Sequence, residues 1–153
     1  MLTRSLFLLS TFLIFGTSVA FAQAKTQRPP LPRTVVNFDE NKYPYPMYLL
    51  DVPSVKKRVR ALLGKNYSSF TEAIDTQEPL EKRGSLIVGS GCAKGLCTVI
   101  EAIVIVDVAN NSITIGMFDS SGKQRFRYFS ETPDAKPVAA MRQWEKDLNE
   151  RSR

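Results

Sequence analysis

The chain has 153 residues, 43% hydrophobic and 24% charged, enough for one ordinary domain with a real core. It carries 21 Lys+Arg against 15 Asp+Glu, formal net charge +6, and no histidine. The missing imidazole excludes Ser-His-Asp and Cys-His catalytic devices, and two cysteines alone do not close a zinc site, so no metal and no cofactor is expected.

The first residues bear on the compartment. Met1 to Arg4 carry one positive charge, Ser5 to Phe15 are almost wholly apolar, and Ala20-Phe21-Ala22 has the small-x-small pattern that signal peptidase reads. Residues 1–22 are therefore read as a signal peptide, with the mature chain starting at Gln23. The apolar run is too short to span a bilayer comfortably, which disfavours an uncleaved anchor. The expected location is the periplasm or the exterior.

Residues 23–46 hold Pro29, Pro30, Pro32, Pro44 and Pro46, and proline removes backbone donors and favours extended chain. An extended segment without regular elements is expected here, ahead of a single domain over residues 47–150. Its aromatic part, Tyr43 to Leu50, reads as a strap across the domain, with a partner-binding strip as the rival reading. Asp51 is placed to cap a helix that has Pro53 in its first turn and Gly64 at its stop. Val55, Val59, Leu62 and Leu63 form its core face, and Lys56, Lys57, Arg58 and Arg60 its solvent face. A second short helix runs from Tyr67 to about Asp75. There Ser69 and Glu72 have capping-box spacing, and Phe70, Ala73 and Ile74 are the buried residues.

The pattern then changes to strands. Ser85 to Ser90 is the first. Cys97 to Asp107 is the longest, and apolar residues on both of its faces mark a central strand covered on two sides. Ala109-Asn110-Asn111 and Ser120-Ser121-Gly122-Lys123 have turn chemistry, flanking strands over Ser112 to Phe118 and Gln124 to Phe129. A helix after Pro137 has Val138, Met141, Trp144 and Leu148 along one stripe. The class is α+β: an antiparallel β-meander sheet with helices packed on one side.

Chemistry concentrates at Gly91-Cys92-Ala93-Lys94-Gly95-Leu96-Cys97, which holds the only two cysteines. In an exported chain they are expected to pair. Closing so short a ring removes roughly 2 kcal/mol of unfolded-state freedom in the chain-entropy model. A hairpin end that needs pinning would explain the bridge. The alternative is a binding loop: Ala93, Lys94, Gly95 and Leu96 make a narrow backbone with one projecting ammonium, suited to an acidic cleft and made rigid in advance. Gly89-Ser90-Gly91 precedes no helix and is no phosphate loop. Glu101 and Asp107 lie roughly 20 Å apart on one strand, too far for a glycosidase pair. Glu101 is read as a carboxylate near the loop that reaches water or an arginine. No catalytic set emerges, and the chain is read as a non-enzyme.

Residues 23–60 hold eight basic and three acidic residues, whereas 61–153 hold twelve of each. The basic excess belongs to the N-terminal segment and first helix. Export argues against nucleic acid. An anionic cell-envelope polymer such as peptidoglycan, held by Lys56, Lys57, Arg58 and Arg60, is the second functional reading.

The export signal, a helical first half, Ser90-Gly91-Cys92-x4-Cys97 between two strands, and a meander containing Asp107-Val108-Ala109-Asn110-Asn111 together resemble the bacterial inhibitor-of-vertebrate-lysozyme family, over roughly Leu49 to Phe129. The resemblance implies a periplasmic protein whose cystine loop, here Cys92 to Cys97, plugs the carboxylate-lined cleft of a c-type lysozyme or another glycan-cleaving enzyme. Some members dimerise, so a homodimer is among the implied states. The family's loop reads Lys-Pro-His-Asp. Here Gly95 stands at the histidine's place and Lys94 one position earlier.

Overall fold

A computed structural model describes residues 28–123, 125–133 and 138–151. The signal-peptide assignment therefore lies outside the described residues. Among these, no helix is long and apolar enough to cross a membrane.

Among the described residues four helices precede the sheet: α1 (Arg33–Val36), α2 (Pro46–Leu50), α3 (Pro53–Leu63) and α4 (Tyr67–Glu72), the last two joined by a 3-10 turn over Gly64–Asn66. Strands β1 (Thr76–Gln77), β2 (Glu81–Arg83), β3 (Leu86–Cys92), β4 (Ile100–Asp107), β5 (Ser112–Asp119) and β6 (Arg125–Ser130) follow, then α5 (Ala139–Arg151). β3 to β6 form an antiparallel meander in chain order. β1 and β2 lie one after the other along the outer edge of β3, opposite Cys92-Gly91 and Val88-Ile87-Leu86 respectively. Strands of two and three residues carry too little periodicity to be read from sequence, and neither was expected.

The α+β class and the antiparallel sheet stand, but the helices are not on one side. Ala102, Val104 and Val106 of β4 pack with Val35, Leu49, Val55, Val59, Leu63 and Phe70 of the N-terminal helices. Ile103 and Ile105, on the opposite face, pack with Met141, Trp144 and Leu148 of α5. The two-sided apolar pattern of β4 had implied both layers; the stripe on α5 needed its own face to bury, and the first was already full. Gly116 makes the second layer close. A Cβ there would lie 2.7 Å from Trp144 Cζ3 and 2.8 Å from Met141 Sδ. The Trp144 ring meets Phe126 edge-on at 5.9 Å, and Phe126 stacks on Tyr128. Burial and the Glu145 carboxylate beside it push the Tyr128 phenol well above the usual tyrosine range.

Several local expectations change. The proline-rich stretch does hold a helical turn, α1, because Leu31 and Val35 reach the core and its burial outweighs the local preference for extended chain. The aromatic strap divides: Pro46, Leu49 and Leu50 are buried and Tyr43 partly so, whereas Tyr45 and Tyr48 are exposed. Val52, not Asp51, is the N-cap of α3, and Asp51 instead pairs with Lys56 at 2.7 Å. Asn66 precedes α4 without a side-chain cap, so Ser69 and Glu72 form no capping box, although Phe70, Ala73 and Ile74 are fully buried as expected.

The largest correction concerns Arg58. It is 7% exposed and is not part of a surface patch. Its guanidinium forks onto Glu131, Nε to Oε1 at 2.9 Å and Nη2 to Oε2 at 2.5 Å. It also donates to Asn111 Oδ1, to the Asn111 carbonyl and to the Pro29 carbonyl. Asn111 has φ +47, a conformation that asparagine tolerates, and its Oδ1 also accepts the Leu31 amide. Asp107 accepts the Asn110 amide and side chain. The Asp107-to-Asn111 segment is thus a structural corner. It welds α3, the β4–β5 turn, the segment after β6 and the chain at Pro29 to Leu31 together. The periodicity of α3 placed Arg58 on its solvent side; only the approach of Glu131, 73 residues later, turns that side inward.

Candidate functional site

The opposite end of the sheet carries the cystine loop. β3 and β4 run in strict register as far as Cys92 opposite Glu101, where the loop begins. Cys92 and Cys97 are disulfide-bonded, with Cα atoms 4.9 Å apart. Inside the ring the Leu96 amide donates to the Ala93 carbonyl at 2.9 Å, closing a four-residue turn with Gly95 at its third position and φ +74. That conformation strains a residue with a Cβ, and nothing lies within 4 Å of where one would sit. Gly95 is therefore a turn requirement, whatever else it does.

The return limb is fixed by different groups. The Val99 and Ile100 amides both reach back to the Leu96 carbonyl. Thr98 has φ +74, a conformation costing a β-branched residue on the order of 1 kcal/mol or more. Its amide donates to Glu101 Oε1 at 3.0 Å. Glu101 is 6% exposed, and its Oε2 accepts from Arg151 Nη2 at 3.1 Å. The reading of Glu101 as a carboxylate reaching an arginine thus stands. The Ser120 amide donates to the Val99 carbonyl at 2.8 Å. Beside it, Asp119 accepts the amide and hydroxyl of Ser121, and those bonds hold its carboxyl below the usual carboxylate range.

Cys92 and Ala93 are buried, whereas Lys94, Gly95, Leu96, Cys97 and Thr98 are exposed, Leu96 to 45%. Lys94 forms no salt bridge among the described residues. A shallow cleft of about 460 Å³ lies on one flank, where Lys94 and Ala93 face Met47, Thr71, Glu72 and Asp75. A second cleft of about 480 Å³ lies on the α5 flank; both cysteines line it, with Val88, Trp144, Asp147 and Arg151 among the rest. The Trp144 indole nitrogen is buried without a hydrogen-bond partner among the described residues. The loop is a ridge between two depressions.

The basic candidates do not converge on a second site. Arg58 is internal, Lys56 is engaged by Asp51, and Arg60 stacks over Tyr67 with its guanidinium carbon 4.9 Å from the ring centre, leaving Lys57 exposed. No group of three or more acidic or sulfur side chains among the described residues could hold a metal ion.

A family model described as inhibitor of vertebrate lysozyme (Ivy) matches residues 54–151. The matched span runs from the first turn of α3 to the end of α5 and so contains the whole sheet, the loop and, apart from Met47, the residues named at the two clefts. Comparison with curated proteins and with solved structures produced no match.

Proposed function

This chain belongs to the family of inhibitors of vertebrate lysozyme, and from that premise we propose that it is an exported, non-catalytic binding protein. Its Cys92–Cys97 loop enters the cleft of a glycan-cleaving enzyme, with a c-type lysozyme the first candidate. The observation that carries the reading is the division of the loop at Ala93. The residues before it are buried and locked into the sheet, and the five after it stand in solvent, the first four of them on a closed ring. Such a loop loses little conformational freedom on binding, because the ring and the turn have already removed it.

Lys94 supplies the recognition chemistry. Its ammonium is the one charge between the two cysteines and is free to meet a carboxylate of the partner. With Gly95 where the family carries histidine, the contact to a catalytic carboxylate falls to Lys94. An ammonium excluded from water beside a carboxylate is worth far more than the same pair on the surface. The test is inhibition of c-type lysozyme by the mature protein and by Lys94→Ala. Micromolar or tighter inhibition by the wild type, weakened at least tenfold in the variant, supports the reading. No inhibition at micromolar protein removes lysozyme as the target.

A further inference from the structure

Glu101 is a buried carboxylate that plugging a cleft does not require. It sits on β4 directly across from Cys92, at the root of the loop. Its oxygens serve two separate elements: the Thr98 amide of the loop's return limb, and Arg151, the last residue of α5, fifty positions away. Arg151 is steered in turn by the Asp147 carbonyl, which accepts from its Nε at 3.4 Å. The disulfide cannot replace this arrangement, because Thr98 lies outside the ring that it closes. Nor can Ser120, which holds the Thr98 and Val99 carbonyls and not the Thr98 amide. Glu101 is the one acceptor of the Thr98 amide among the described residues, so its loss removes a restraint on the strained φ +74 that the neighbouring bonds to Leu96 and Ser120 do not supply, and a change there swings the tip relative to the sheet.

We propose that Glu101 is the positioning residue of the loop and Arg151 its support, so that the end of α5 sets the direction in which Lys94 and Leu96 are presented. The consequence at a target rests on the inhibitor reading above; the conformational claim does not.

The experiment uses the mature protein with Arg151→Ala, Arg151→Lys and Glu101→Gln. It follows two quantities: amide hydrogen exchange at Thr98, and inhibition of a c-type lysozyme. Arg151→Ala leaves the Glu101 carboxylate, 8% exposed, without its ion-pair partner, so the variant loses some global stability, and exchange at Thr98 is therefore read against that of the β5 core amides in the same variant, which report the global loss. Exchange at Thr98 should accelerate about tenfold in Arg151→Ala, with Arg151→Lys restoring most of the protection. Inhibition should weaken about tenfold in the alanine variant and recover in the lysine variant. Glu101→Gln should fall between them, since its amide oxygen still accepts from Thr98 but offers Arg151 no charge. Should that variant fail to fold, the two Arg151 variants decide. Wild-type exchange at Thr98 in Arg151→Ala overturns the proposal, as does accelerated exchange with inhibition unchanged. Absence of inhibition by the wild type would instead fail the inhibitor reading, and exchange alone would then judge the role of Glu101.

Discussion

The two ends of the central sheet use the same device for opposite purposes. At each, a glutamate and an arginine far apart in sequence meet at the foot of a turn that contains a non-glycine residue with positive φ: Asn111 at one end, Thr98 at the other. At the Asn111 end both partners are nearly buried, with side chains 6% and 11% exposed, and every neighbouring element is tied in. At the Thr98 end Arg151 is 46% exposed, and the turn it supports projects beyond the sheet. The first corner joins the segment around Pro29 and Leu31 to the domain; the second holds a ridge that stands in solvent. A buried ion pair is thus no guide to function by itself. What differs is whether the backbone it holds is covered or left in solvent.

The comparison can be broken most forcefully at Arg58. Arg58→Ala strands Glu131 in a mostly buried site, and removal of one partner of such a pair costs about 3 kcal/mol or more. Urea or thermal unfolding should show that loss, and a cost near zero would mean that the corner is not a weld. Opening the ring by Cys92→Ser with Cys97→Ser should lower stability by roughly 2 kcal/mol in the chain-entropy model, with the circular dichroism of the folded sheet preserved. Hydrogen exchange should then rise at residues 93–99 and not at 107–113. Equal loosening at both ends would contradict their independence.

Lys94→Ala should leave stability within about 0.5 kcal/mol of wild type, as expected for an exposed side chain that forms no salt bridge among the described residues, while inhibition falls. A marked drop in stability would make Lys94 a structural residue and weaken the plug reading. The smallest effect concerns pH. The carboxyl of Asp119 titrates lower in the folded chain than in the unfolded one, so its contribution is present above the unfolded value and is lost as pH falls through the lowered one. Asp119→Asn should flatten the acid limb of the stability curve slightly, without moving its neutral plateau.

Much of this architecture is written locally. The meander was legible because β4 and β5 alternate or saturate with branched apolar residues between turn-forming segments. The helices α3 and α5 were legible because Val55, Val59, Met141, Trp144 and Leu148 repeat at helical spacing. The candidate loop was visible as the sequence's only pair of cysteines, with four residues between them. The one-sided placement of helices was an inference too far, since a sequence pattern shows that a stripe must be buried and not against which face of the sheet.

What the sequence determined on its own is therefore the set of elements, their order and the covalently closed turn, all of which depend on neighbours within about ten positions. The tertiary structure alone decided that Arg58 belongs to the interior, that α5 covers the second face, and that Glu101 joins Thr98 to Arg151. Each of these depends on which charges meet after the chain has doubled back. A carboxylate and a guanidinium separated by fifty or seventy residues carry no periodic signature, and burial changes their role only once both have left water together.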